Sequence, residues 1–250
     1  MTHPRDTAAR RGVATAGALA AGLAVLLAGG AAQAQTLTVL PVNINMAAGE
    51  LATSLTVMNQ GAAETSVQVR ALAWSQPNGQ EKLAPSDDVL ISPPIVTIAA
   101  GASQVVRLVL RHAPEGKEAS YRILLDQIPP AAAPGTVRIA LRLSIPVFAE
   151  PATRALPHVQ YSLETSAGQT YLVAANDGER HDTIRDLALT TEAGAALKTA
   201  PGTPYVLAGA SGRWRIDAAG QTLTTGEKFH LAAKDDTGPV DQSITLAATP

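Results

Sequence analysis

Residues 137–148 read VRIALRLSIPVF, and their pattern decides the fold class. Apolar side chains alternate strictly with the others, which places them on one face of an extended strand: Val137, Ile139, Leu141, Leu143, Ile145 and Val147. At about 3.3 Å per residue, this row is roughly 33 Å long. Pro146 has no N–H for a ladder hydrogen bond, which favours the edge of a sheet. Because soluble proteins avoid long apolar edges, we predict a strand that is kept ready for another chain.

The rest of the chain beyond residue 34 also predicts β-structure. Strand-like segments recur between Gly, Pro, Asn and Asp, without a long helical periodicity. The first half has seven, the number of an immunoglobulin-like sandwich: residues 37–46, 52–59, 66–74, 89–98, 104–111, 120–128 and 137–148. Weaker segments follow at residues 158–165, 170–176, 183–190, 203–207, 212–217, 228–232 and 242–247.

These segments predict an all-β protein of two immunoglobulin-like β-sandwich domains, residues 35–151 and 152–250. The segment between them, EPAT at residues 150–153, is short and contains a proline. A linker of this length implies that the domains meet at a fixed angle, with a cleft between them.

The first 34 residues predict export. Three arginines precede an apolar run at residues 17–28, and AQA at residues 32–34 has the small-x-small pattern of a cleavage site. We therefore predict a signal peptide at residues 1–34; the run is too short and too rich in Gly and Ala for a transmembrane anchor. The chain has no cysteine, whereas small eukaryotic secreted domains usually carry disulfides. The predicted location is the bacterial periplasm.

Charge and motif content argue against several classes of function. The chain has 19 basic and 21 acidic residues; without the three basic residues and one acidic residue of the predicted signal peptide, its net charge is −4. Mild acidity does not suit a nucleic-acid partner. The histidines have no metal-ligand spacing, no serine lies in a G-x-S-x-G motif, and no glycine-rich phosphate loop is present. We predict neither an enzyme nor a need for a metal, cofactor or nucleotide.

Three further stretches carry a family resemblance: SPPIV at 92–96, GASQVVRL at 101–108 and YRILLDQIPP at 121–130. Together with the opening strand and residues 137–148, they resemble the periplasmic pilus chaperones of the PapD type, in order and spacing across nearly the whole first domain. In the second domain, YVLAGA at 205–210 and the following Arg213-Trp214 are similar to the archaic, Csu-like branch of these chaperones.

The resemblance implies a mechanism. Pilus subunits are immunoglobulin-like domains that lack their last strand, and the chaperone lends its own edge strand before an outer-membrane usher receives the subunit. Backbone hydrogen bonds give such an added strand its affinity, and alternate side chains fill pockets. The family's donor positions correspond to Val137, Ile139, Leu141 and Leu143. Ile145 and Val147 are expected in the chaperone's own core, and self-association of the free chaperone through this edge stays open.

Two positions depart from the family at the site for the subunit's C-terminal carboxylate. The family uses an Arg on the first strand and a Lys near the end of the donor strand, where this chain has Asn43 and Pro146. Asn43 offers only a neutral amide hydrogen bond, and Pro146 offers no donor. The anchor candidates are therefore Asn43, Arg122 and Arg142, with a solvated strand face as the plain alternative for both arginines.

The domain junction also departs from the family, which links its domains through a charged cluster. Glu118 matches the family's acid before the sixth strand, whereas Glu150 occupies the position of an Arg before the linker proline. Two acids repel, so we expect a rewired or absent network, and the interdomain angle does not follow from the resemblance.

Two other classes of function fit the sequence less well. A structural pilus subunit or adhesin would have one incomplete domain and usually cysteines, unlike this chain. A generic periplasmic immunoglobulin-like binding module for sugar or cell wall would need exposed aromatic side chains, but aromatic residues make up only 3% of the chain.

Overall fold

The computed structural model describes residues 37–131, 135, 137–153, 155–218 and 220–247. The predicted signal peptide lies outside the described residues. The described chain is almost entirely β-structure, with a single 3-10 turn at Pro77–Gly79.

The first half forms ten strands that pair only with one another. In chain order they are β1 (Leu37–Leu40), β2 (Ile44–Met46), β3 (Ala52–Asn59), β4 (Thr65–Ser75), β5 (Lys82–Pro85), β6 (Val89–Ser92), β7 (Ile95–Ile98), β8 (Ser103–Leu110), β9 (Ala119–Ile128) and β10 (Arg142–Ala149). One sheet has the order β1-β3-β8-β6; the other has the order β2-β10-β9-β4-β5, with β7 also on β4. Alternate residues of both sheets, such as Val106 and Leu108 of β8, fill a shared core.

Two of the predicted strands of the first half are split, each at a proline. The predicted strand 37–46 breaks at Pro41 into β1 and β2, and the predicted strand 89–98 breaks at Pro93 into β6 and β7. Both prolines follow a cis peptide bond. In each case the chain passes from one sheet to the other at the break. Periodicity alone predicted single strands because the apolar pattern continues through the break.

The second half forms nine strands: β11 (Val159–Ser166), β12 (Gln169–Asn176), β13 (Asp182–Thr183), β14 (Arg185–Thr191), β15 (Ala196–Thr199), β16 (Tyr205–Val206), β17 (Ala210–Asp217), β18 (Lys228–Asp235) and β19 (Gly238–Thr245). Seven pair in the order β11-β12-β17-β15-β14-β18-β19, and β13 pairs with β16. A bridge from Leu163 to Leu246 joins the two outer strands of the large sheet, so that it surrounds a second core. The predicted two-domain, all-β architecture is confirmed.

Strand β10 is shorter than the predicted strand 137–148. It begins at Arg142, and residues 137–141 belong to no strand. Along its length β10 pairs antiparallel with β9, whereas on its other side, among the described residues, only its last three residues pair, parallel, with β2. The predicted edge therefore extends over residues 142–146.

Candidate functional site

The stretch before β10, residues 137–141, is called the apolar ribbon below. Val137 is 93% exposed, Ile139 91% and Leu141 38%. Leu143 is partly buried against the first core, and Ile145 and Val147 belong to that core. Large apolar side chains with this exposure on neighbouring positions are typical of an interaction site. Of the four predicted donor positions, two are fully accessible, Leu141 is partly accessible and Leu143 packs on its own domain.

The backbone next to the ribbon presents an open edge. The Leu141 carbonyl accepts the Gln127 N–H at 2.9 Å, so Leu141 faces β9. Because successive residues of a strand direct their N–H and C=O groups to opposite sides, Arg142 and Ser144 direct theirs to the open edge. Pro146 faces the same way, so its missing N–H removes no hydrogen bond from the β9 ladder. The edge thus offers two residues that are able to pair with an added strand.

The three anchor candidates differ in their surroundings. Asn43 lies exposed in the bend between β1 and β2. Arg122 is the cross-strand partner of Pro146; its guanidinium lies 3.7 Å from the Trp74 ring centroid, and its side chain is only 13% exposed. Its Nη2 is 3.2 Å from Glu81 Oε1. Arg122 is therefore a rigidly held cation rather than part of a solvated face.

Arg142 belongs to a row of charges across three strands. Its Nε bonds Asp126 on β9, and the other carboxylate oxygen of Asp126 is 2.6 Å from Arg70 Nη2 on β4. Burial alone would raise the pKa of Asp126, but the hydrogen bonds and charges of the two arginines outweigh burial and hold that pKa below its ordinary value. Arg142 is 63% exposed and shares the single carboxylate of Asp126 with Arg70.

The two acids of the predicted junction meet basic residues of the second domain. Glu118 has a side chain that is 1% exposed, and its carboxylate oxygens lie 2.7 Å and 2.8 Å from His181 Nδ1. Arg180 Nη1 is 3.3 Å from Glu150 Oε1, and Arg180 Nε is 4.0 Å from Glu118 Oε2. Glu118 and Glu150 therefore do not face each other alone, because Arg180 lies between them.

Apolar and neutral polar contacts complete this joint between the domains. Phe148 packs with Trp74 and Leu207, and the His181 ring stacks on Phe148 with centroids 3.5 Å apart. The buried Gln76 amide donates to the Tyr205 carbonyl at 2.8 Å and accepts the Leu207 N–H at 2.9 Å. Beside these contacts the predicted cleft is present as a cavity of about 490 Å³, lined by both domains.

The described residues include no group of three or more His, Cys, Asp or Glu side chains that is suited to a metal ion. Within the same ranges, none of the helical structure has the length and apolar character that a membrane span requires.

A family model supports the assignment of the first domain. The model described as pili and flagellar-assembly chaperone, PapD N-terminal domain, matches residues 36–155. Residues 36–155 therefore form a PapD N-terminal domain of the kind found in pili and flagellar-assembly chaperones. No curated protein matches the chain significantly.

Solved structures share the fold of this chain over both domains. A chain of the CsuC–CsuE chaperone–tip adhesion subunit pre-assembly complex, from archaic chaperone-usher Csu pili of Acinetobacter baumannii, is 24% identical with a TM-score of 0.63, covering 86% of this chain and 100% of that one. The YadV chaperone is 14% identical with a TM-score of 0.60, covering 84% and 99%. A chain of the Salmonella enterica SafA pilin–SafB chaperone complex is 15% identical with a TM-score of 0.58, covering 87% and 99%.

Sequence reasoning missed several residues of the joint between the domains. His181 had no role because the histidines were searched only for metal spacing, and neither Gln76 nor Arg180 stands in a motif. Phe148 gave the one available signal: it lies on the face of β10 opposite to the alternating apolar row, where a large aromatic side chain requires a separate partner.

Proposed function

We propose that this chain is a periplasmic chaperone that captures pilus subunits by donor-strand complementation and delivers them to an outer-membrane usher. The observation that carries the proposal is the exposure of Val137 and Ile139, in a PapD-family domain, directly before an open strand edge. A subunit that lacks a strand would pair with the Arg142 and Ser144 backbone and receive the ribbon side chains in its groove. The complexes of related fold, CsuC–CsuE and SafA–SafB, support the choice of subunits as partners.

The exposures set the scale of the binding energy. Burying a large aliphatic side chain contributes about 1.5–3 kcal/mol, so Val137 and Ile139 together supply roughly 3–6 kcal/mol before ordering costs. Leu141 adds less because it is already partly covered, and Leu143 adds little because it packs on its own domain. A gain of this size allows stable capture and later exchange of the strand for another subunit's extension. Neither step uses a nucleotide, metal or other cofactor.

The periplasmic location rests on the signal peptide that we propose at residues 1–34. We further propose domains at residues 35–151 and 152–250, a division supported by the absence, among the described strands, of pairing between β1–β10 and β11–β19.

The test is a charged substitution in the ribbon. Ile139→Glu places a carboxylate where a groove would be apolar, and the exposure of Ile139 leaves the chaperone's own fold intact. The matched control is Val105→Glu, which changes an apolar residue that is 49% exposed on β8, in the other sheet. Each variant is co-expressed with a pilus subunit from the same genome, and the periplasmic complex is purified through the chaperone. We expect Ile139→Glu to abolish recovery of the subunit and Val105→Glu to retain it; full recovery with Ile139→Glu would refute the donor role.

For the subunit's carboxylate we propose Arg122 as the anchor, in preference to Arg142 and Asn43. Arg122 stands beside Pro146, is held by Trp74, and its ion-pair partner Glu81 is 46% exposed and free to move aside. In Arg122→Ala, the affinity for a native subunit should fall to the affinity for a subunit that carries one added C-terminal residue. Arg142→Ala and Asn43→Ala should keep the preference for the native terminus; a preference unchanged in Arg122→Ala would exclude this anchor.

A further inference from the structure

Where the apolar ribbon leaves the sheet, a side chain takes the place of one backbone hydrogen bond of the β10–β9 ladder. The last register pair between β10 and β9 joins Arg142 and Asp126, although β9 continues to Ile128 and pairs there with β4. One residue before β10, the Leu141 carbonyl accepts the Gln127 N–H at 2.9 Å, while the Leu141 N–H donates to the side-chain Oε1 of Gln127 at 3.3 Å. Gln127 therefore contacts both backbone groups of the residue at the root of the ribbon.

The Gln127 side chain is held in place on its other side. It is 9% exposed, and its Nε2 donates to Thr65 Oγ1 at 3.0 Å, in a buried hydrogen bond between β9 and β4. Thr65 itself is 5% exposed. A buried amide that is bonded through both its oxygen and its nitrogen has one orientation, because any other orientation leaves a polar group unsatisfied.

We propose that Gln127 is a positioning residue for subunit capture: it holds Leu141 so that the ribbon departs from the sheet at a fixed residue. This inference rests on the proposed function. Without the Gln127 side chain, the next residue held by both the β9 ladder and the core is Leu143, and the strand is free to fray up to that point. Leu141 would then lose its position relative to the open edge, and an added strand would meet side chains that are out of phase with its pockets.

The first measurement uses the chaperone alone. Gln127→Met keeps the length of the side chain and removes its amide. We expect the Leu141 amide to exchange with deuterium about tenfold faster than in the wild type, the factor that corresponds to one net hydrogen bond. The Ile145 and Val147 amides should keep their exchange rates, which shows that the core is intact. An unchanged rate at Leu141 would overturn the proposal.

A pair of variants at Thr65 separates positioning from packing. Thr65→Ser keeps the hydroxyl that orients the Gln127 amide, and Thr65→Val keeps the shape but removes the hydroxyl. We expect faster exchange at Leu141 in Thr65→Val and near wild-type exchange in Thr65→Ser. Equal exchange in the two variants would contradict the orientation of Gln127 by Thr65.

The second measurement is capture of a pilus subunit from the same genome, with Ile139→Glu as the reference for lost binding. We expect Gln127→Met to weaken capture about tenfold while the chaperone stays folded at the temperature of the capture assay, as the Ile145 and Val147 amides report. Wild-type capture by Gln127→Met, together with loss of capture by Ile139→Glu, would refute the positioning role and leave the donor strand in place. Wild-type capture by both would refute the donor strand itself.

Discussion

Replacing Gln76 by Met should uncouple the two domains. The change keeps the size of the side chain but removes both hydrogen bonds of its amide, which join the first domain to the Tyr205 carbonyl and the Leu207 N–H of the second. Gln76 and Leu207 are each 4% exposed, so water does not readily replace the lost partner. A buried donor or acceptor left without a partner costs about 1–3 kcal/mol, and the two together cost roughly 2–6 kcal/mol.

Urea unfolding followed by tryptophan fluorescence measures this loss, because Trp74 lies at the joint and Trp214 in the second core. We expect a lower midpoint and two separated transitions in place of coupled unfolding. The control is Gln80→Met, the same change at an exposed position four residues further on, which should alter stability by less than about 0.5 kcal/mol. Equal midpoints for the two variants would show that the Gln76 amide does not hold the domains together.

Three further predictions concern charge and packing. Burial, and secondarily neighbouring acids, raises the pKa of Asp182, so its contribution to wild-type stability is complete below the ordinary carboxyl pKa and is lost as pH rises through the folded-state pKa. Asp182→Asn keeps the acceptor for the Asp236 N–H and should therefore raise the thermal midpoint at pH 7 but not below pH 4. Asp126 has a lowered pKa, so its stabilisation is complete above about pH 4 and lost as pH falls further, and urea midpoints measured from pH 7 to pH 3 should fall less steeply in Asp126→Asn. In Gly178→Ala the new Cβ would lie 2.5 Å from the His158 nitrogen, and calorimetry should detect a loss of about 1–3 kcal/mol.

The exposed ribbon shows where local pattern stops being informative. The alternation of residues 137–148 has the same form at Ile139 and at Ile145, yet Ile139 is 91% exposed and Ile145 4%. Sequence periodicity assigns both side chains to one face, but it carries no information about how far the opposite sheet extends over that face. The resemblance to PapD-type chaperones placed Leu143 with Val137 and Ile139 as a donor position, whereas in the structure Leu143 packs partly against the first core.

The domain joint shows the same limit for charge. Repulsion between Glu118 and Glu150 predicts a charged network that is rewired or absent. The side chains that contact these acids, Arg180 and His181, come from the other domain, and no spacing rule links them to residues so far away along the chain.

The amino-acid sequence by itself determined that this protein is all-β and that it has two domains, because alternation and proline positions act over a few neighbouring residues; it also predicted that residues 137–148 form a strand offered to another chain. Only the tertiary structure decided where that strand leaves its sheet, which prolines carry the chain from one sheet to the other, and how Gln76, Arg180 and His181 join the domains. Those outcomes depend on which distant segments pack together, and burial and hydrogen bonding between such segments have no local signature.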